Sequence, residues 1–239
     1  MKLQREAAEE ESKSAFLGYG SEENNFAIKL DYNDGIRNYD IGEGFGHLAI
    51  ATENVKKMEK RIKSNGGDIT RGLGLVKGKC DEVVFAKDDN GYKFELIERS
   101  LSPEPLCKIM LHVGDLDRSI TFYQKALGMK LLTKRDLPEC KCTLAKLGYA
   151  DEDKTTALEL TYKYGIREYR QGDAYSQVVI ATDNVHKSSE AIDRMVKILG
   201  GKVLQRPGPL PGQKITTFVD PDGWKMVCPI FINKSTSVR

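Results

Sequence analysis

Two stretches near the middle of the chain alternate apolar and polar residues with a period of two. From Tyr92 to Glu98, Phe94 and Leu96 fall on one side and Glu95 on the other; from Cys107 to Val113, Ile109, Leu111 and Val113 alternate with Lys108, Met110 and His112. That period predicts half-buried strands, each gathering its polar side chains on one face. Ser102-Pro103-Glu104-Pro105 between them lacks a full set of backbone donors and reads as a linker. The same reading places a strand over 44–52 and a helix over 54–65, with Val55, Met58 and Ile62 inward and a Gly66-Gly67 stop. Strands follow at about 68–72, 80–87 and 92–98. Past the linker, Asp115 is a candidate N-cap for a helix burying Ile120, Phe122, Tyr123 and Leu127. Further elements are predicted over 175–182, 185–199, 202–205, 215–220 and 224–230.

These elements repeat. AFLGYG at 15–20 returns as AKLGYA at 145–150, and FAIKLDYNDGIRNYD from Phe26 as TALELTYKYGIREYR from Thr156. LAIATENV at 48–55 returns as VVIATDNV at 178–185, and NGYK at 90–93 as DGWK at 222–225. The duplication spans nearly the whole chain. Each copy holds units of strand, helix and three strands, so four βαβββ units are expected, the first without its opening strand and helix. The predicted class is α+β, with mixed sheets curled into cups and helices outside. Two tandem domains follow: 1–100 and 106–239, joined by a linker at 101–105. Residues 4–14 are charged, and the start of the first copy is expected to be an exposed, partly frayed edge.

Composition narrows the function by exclusion. The 239 residues carry 37 basic against 35 acidic side chains, a net charge of +2, too balanced to argue for nucleic acid or a membrane surface. Neither a membrane-length apolar run nor a signal-peptide pattern at Met1 is present. Five scattered cysteines (Cys80, Cys107, Cys140, Cys142 and Cys228) read as reduced thiols of a cytoplasmic, monomeric protein. Cys140 and Cys142 without a second pair are a poor zinc signal.

The candidate chemistry lies on strands that bound the units. His47 and Glu95 stand on the first and last strands of the second unit, Lys108 and Glu159 on those of the third. One imidazole and two carboxylates suit a divalent ion with water. A lone strand histidine is more often a satisfied core residue, and the case rests on equivalent places in repeated units. The counterparts in the other half are Lys29, Gln177 and Val227, which cannot form such a set.

GFGHLAIAT, NGYKFELIER, VGDLDRSITFYQKALGMKLL, GPLPG and DPDGWK resemble glyoxalase I, the lactoylglutathione lyase family of the vicinal-oxygen-chelate superfamily, in its fused two-domain plant form. The resemblance implies paired βαβββ modules, a divalent metal (nickel, cobalt or zinc), and isomerisation of the methylglyoxal–glutathione hemithioacetal to S-lactoylglutathione. It implies that His47, Glu95 and Glu159 are metal ligands, with Glu95 the catalytic base and Glu159 assisting from the opposite face. It places His112 and Lys163 where the family binds glutathione with Arg and Asn. The fourth ligand place, His or Gln in the family, holds Lys108. An ammonium about 4 Å from a divalent ion is repelled by roughly 8 kcal/mol at an effective dielectric of about 20. The lysine could swing away, deprotonate and ligate, or bridge Glu95 and Glu159 in place of the metal; the last desolvates least charge. Two readings follow: a lyase impaired by Lys108, or a non-catalytic ligand-binding protein on the same scaffold. A dioxygenase of the superfamily would need a second histidine facing the site, and none is in reach of Glu95.

Overall fold

The computed structural model describes residues 1–9, 12–22, 25–75, 82–100, 103–209 and 214–230. Its centre is an eight-stranded mixed sheet. The strands are β4 (Phe45–Thr52), β5 (Asp68–Leu75), β6 (Glu82–Lys87), β7 (Lys93–Glu98), β8 (Leu106–His112), β9 (Lys130–Leu137), β10 (Cys142–Gly148) and β11 (Ala157–Lys163). Their spatial order is β5-β6-β7-β4-β8-β11-β10-β9. The second and third βαβββ units therefore meet along β4 and β8, which run antiparallel, while each unit's own first and last strands pair in parallel. Val83 and Ile97 from one end of this sheet line the same cavity as Leu137 and Leu144 from the other, so the sheet curls into a cup.

Helices cover the outer face. α2 (Leu116–Leu127) starts on Asp115, whose carboxylate accepts from Arg118 N at 3.0 Å, and ends on Gly128 in the left-handed region at φ 70°. It buries Ile120, Phe122 and Tyr123 against Ile109, Leu111, Leu158 and Leu160, the outward residues of β8 and β11. α1 (Val55–Ser64) and α3 (Val185–Leu199) are capped by Asn54 and Asn184. From Lys108 onward the alternation in β8 holds, with Ile109 and Leu111 in the core and Lys108 facing the cup, whereas an irregularity at the start of the strand packs Cys107 against Ala49, Val83 and Ile97.

The remaining strands form two smaller sheets. β1 (Lys2–Glu9), β2 (Ser12–Gly18) and β3 (Ala27–Asn33) pair antiparallel in that order. The expected exposed edge over 4–14 corresponds largely to β1, which pairs on one side only, whereas β2 is bonded on both sides; residues 10 and 11 lie outside the described residues. The other sheet runs β12 (Val178–Val179), β15 (Lys225–Pro229), β14 (Ile215–Val219), β13 (Lys202–Gln205). The strand expected over 175–182 contracts to two residues because its counterpart β4 has β8 as a second neighbour, whereas β12 pairs only with β15.

Two contacts fix β8 at its ends. Linker residue Glu104, buried, accepts from Phe26 N at 2.7 Å and Leu106 N at 3.1 Å, tying the β3 side to the start of β8. At the other end, buried Trp224 donates from Nε1 to the His112 carbonyl at 3.0 Å, and Asp222 accepts from Gly114 N at 2.8 Å. The strand that bears Lys108 is therefore held by the first and the last units of the chain.

Candidate active site

Register builds the floor of the cup. Lys108 lies opposite Ala49 on β4 and Ala157 on β11, and Ala49 lies opposite Glu95 on β7. Two alanines beside a long side chain leave room for it to reach across the sheet. The next row carries Met110 opposite Glu159, and Glu159 opposite Lys146. The four residues that the resemblance singles out thus converge: Lys108 Nζ stands 2.6 Å from Glu95 Oε2 and 2.9 Å from Glu159 Oε2, and His47 Nε2 is 3.1 Å from the same Glu95 oxygen. The His47 ring also packs edge-on against Phe85, with centroids 5.6 Å apart.

All three charges are out of water, with exposures of 0% for Glu95, 2% for Glu159 and 3% for Lys108. Burial by itself would strip the lysine of its proton. The carboxylates of Glu159 and Glu95 outweigh that and raise its pKa above the ordinary lysine value, so it stays an ammonium. A buried ion pair adds little net stability, but removing one partner costs about 3–5 kcal/mol because the other charge is left uncompensated. Lys108, Glu95 and Glu159 are therefore locked to one another.

A divalent metal does not fit this arrangement. The donor types are suitable, but the place between the carboxylates is taken by Nζ, and Coulomb repulsion forbids both cations there. Among the described residues, no group of three His, Cys, Asp or Glu side chains is placed to hold a metal ion.

Above the floor lies a cavity of about 260 Å³ that Glu95 and Lys108 line. Its walls are Val83, Ile97, Leu137 and Leu144; its rim is Arg99, Arg135, Lys146 and Glu152, with Lys146 and Arg99 both paired to Glu152. The sequence reading did not single out these rim residues. Strand phase could have found them, since Arg99 follows Glu95 and Ile97, and Lys146 follows Leu144, at steps of two.

His112 and Lys163 differ in their surroundings. Lys163 is exposed at the end of β11. His112 is buried, its ring stacked on Tyr169 with centroids 5.1 Å apart and planes at 16°. Burial, helped by nearby Lys163, pushes its pKa down to about 4, so the ring is neutral near pH 7. Its Nδ1 has no hydrogen-bond partner, nor does the Oγ1 of buried Thr161, the residue opposite it on β11. Both atoms are shut off from solvent, and neither residue lines the cavity above Lys108.

In the other half, Lys29 is half exposed and paired with Asp31 at 2.8 Å, and Gln177 lies outside β12. Lys29, Gln177 and Val227 supply neither an imidazole nor a carboxylate to a second site.

The architecture and this constellation can be set beside known proteins. The family model of the Glyoxalase/Bleomycin resistance protein/Dioxygenase superfamily matches residues 1–96 and 106–227. A lactoylglutathione lyase of Oryza sativa subsp. japonica is 59% identical over 232 residues, covering 95% of this chain and 80% of that protein. The chain belongs to the glyoxalase I family. An Arabidopsis thaliana lactoylglutathione lyase is 52% identical over 95% of this chain and 82% of its own length. The crystal structure of glyoxalase I from Zea mays superposes with a TM-score of 0.93 at 58% identity, covering 96% of this chain and 83% of that one. Paired βαβββ units are thus the glyoxalase fold.

Proposed function

We propose that this protein is a cytoplasmic, monomeric lactoylglutathione lyase of methylglyoxal detoxification, working from the single cup between its second and third units, with turnover held low by Lys108. The observation that carries the reading is the convergence of Glu95, Glu159 and His47 on one buried cup floor, while the ammonium clamped at 2.6 Å and 2.9 Å between the two carboxylates accounts for the low turnover. The substrate is the glutathione hemithioacetal. Its isomerisation moves one proton between adjacent carbons, so the essential group is a carboxylate that takes the proton from one carbon and returns it to the next. Glu95 is assigned as that base, with Glu159 as the second carboxylate. Both lend an oxygen to Lys108, and the same Glu95 oxygen also meets His47, so it is engaged by the protein rather than by substrate. A divalent ion of the family's kind (nickel, cobalt or zinc) would be held by His47, Glu95 and Glu159 once Lys108 is removed, and would polarise the substrate oxygens. His112 and Lys163, at the places where the family binds glutathione, are assigned to the glutathione moiety.

The second reading, a non-catalytic binding protein, is favoured by the same clamp, because a site without a free base still offers a cavity. An assay of S-lactoylglutathione formation separates the two. The lyase reading predicts low but metal-insensitive turnover in the wild type and a rise of at least about a hundredfold in Lys108→Gln with added nickel, cobalt or zinc. No turnover in either protein, with hemithioacetal analogues still bound, supports the binding protein.

A further inference from the structure

The rim of the cavity above Lys108 differs in kind from its walls. Val83 on β6 and Ile97 on β7 line it from one end of the sheet, Leu137 on β9 and Leu144 on β10 from the other, and none of the four side chains can hydrogen-bond. Around them stand Arg99, just past the end of β7, Arg135 on β9 and Lys146 on β10, with Glu152 as the rim carboxylate among the described residues. Glu152 is divided among several donors. One oxygen lies 2.5 Å from Lys146 Nζ and 3.7 Å from Arg99 Nη2, and the other accepts from Thr133 Oγ1 at 3.1 Å. The Lys146 and Arg99 side chains are only 14% and 22% exposed, so both are drawn in from solvent. Three cations and one carboxylate leave the rim with a surplus of two positive charges. The floor of Lys108, Glu95 and Glu159 returns one negative charge, and the whole set stays positive by one. Cationic groups above low-dielectric walls concentrate the field in the opening and draw in anions.

We infer that this cavity binds a small dicarboxylate, with one carboxylate at Arg135, the other at Arg99 and Lys146, and the carbon chain along the four apolar walls. A guanidinium fork matches a carboxylate with two parallel hydrogen bonds. The two arginines come from strands far apart in the sheet order, β7 and the edge strand β9, and the curl of the sheet brings both to one cavity. Two cationic groups set on different strands suit a ligand with two anionic ends. A compact single anion such as phosphate would leave the apolar walls bare. The volume of about 260 Å³ admits only a short chain. Glu152 acts here as a positioning residue, since its shared oxygen holds Lys146 and Arg99 at the rim. The inference goes beyond the lyase reading and does not rest on it, because binding at the rim needs neither Glu95 as a base nor a metal, and Lys108 stays with its two carboxylates.

Calorimetric titration of the intact wild-type protein with succinate at low salt is the test, with succinamide and inorganic phosphate titrated in parallel. The expected result is one succinate per chain, with an affinity that falls as ionic strength rises, and no binding of the diamide, which keeps the shape without the charge. Arg135→Gln, at an exposed position, should weaken succinate binding at least about tenfold. Arg135→Lys keeps the charge but loses the planar fork, and should fall between the two. Lys187→Gln removes the same charge from the exposed start of α3 and should bind as the wild type does. Absence of succinate binding, equal binding of succinamide, phosphate bound as tightly as succinate, or unchanged affinity in Arg135→Gln each overturns the inference. None of these readouts depends on turnover, so failure here leaves the lyase reading standing, and an inactive Lys108→Gln leaves this one.

Discussion

Two carboxylates and one ammonium withdrawn from water at the floor of the cup balance one another to a residual of one negative charge, and His47 supplies a further polar contact to that group. Replacing Lys108 by Gln leaves two buried carboxylates facing each other. Lys108→Gln without metal should lose about 3–5 kcal/mol of stability, and nickel, cobalt or zinc should restore it; denaturant unfolding with and without metal measures both. Glu95→Gln in the Lys108→Gln background should cost about a hundred- to ten-thousand-fold in turnover, and activity equal to the parent would remove Glu95 as the base. His112 sets a pH dependence. Its folded pKa, about 4, lies below the ordinary histidine value of 6.5, so the unfolded chain binds the proton more readily. The stability involved is complete above about pH 6.5 and is lost as pH falls toward 4, about 1.4 kcal/mol per pH unit and roughly 2 kcal/mol by pH 5. His112→Gln should unfold with a flatter pH profile over that window; superimposable profiles would contradict the burial of a neutral ring. At this scale sequence placed Lys108 on the right face, since alternation decides faces. The stacking of Tyr169 on His112 was not legible, because it joins residues from separate segments whose approach depends on the tertiary fold.

Element boundaries followed the same logic. Helices with strong periodicity and Asn or Asp caps were legible to within a residue or two: the helices expected over 54–65 and 185–199 lie at Val55–Ser64 and Val185–Leu199. The strand expected over 175–182 was not, because a strand's length depends on its neighbours, and β12 has one neighbour where β4 has two. Glu104 shows a third case. Its place between two prolines marks a linker, yet its carboxylate is buried and accepts two backbone N–H groups from different sheets. Glu104→Ala should therefore destabilise the protein by about 1–3 kcal/mol, the cost of leaving buried donors unpaired, and should speed amide exchange at Phe26 and along β3. An unchanged exchange pattern there would mean that the first sheet is held by its other contacts alone.

As a whole, the molecule is an unequal duplication. Among the described residues, one half assembles an eight-stranded cup with a cavity and a locked charge cluster, and the other forms a three-stranded and a four-stranded sheet with no equivalent set of ionisable groups. The duplication was the most legible feature of the sequence, because it compares the chain with itself and needs no propensity. The state of the cup was only partly legible: register and faces follow from the pattern, but where a four-carbon ammonium comes to rest depends on Ala49 and Ala157 leaving it space. The account turns on that resting place. Equilibrium titration of the intact wild-type protein with nickel, cobalt or zinc, with Lys108→Gln alongside, tests it most directly. The account predicts no stoichiometric binding in the wild type and one equivalent in the variant; one tightly bound equivalent in the wild type would contradict it.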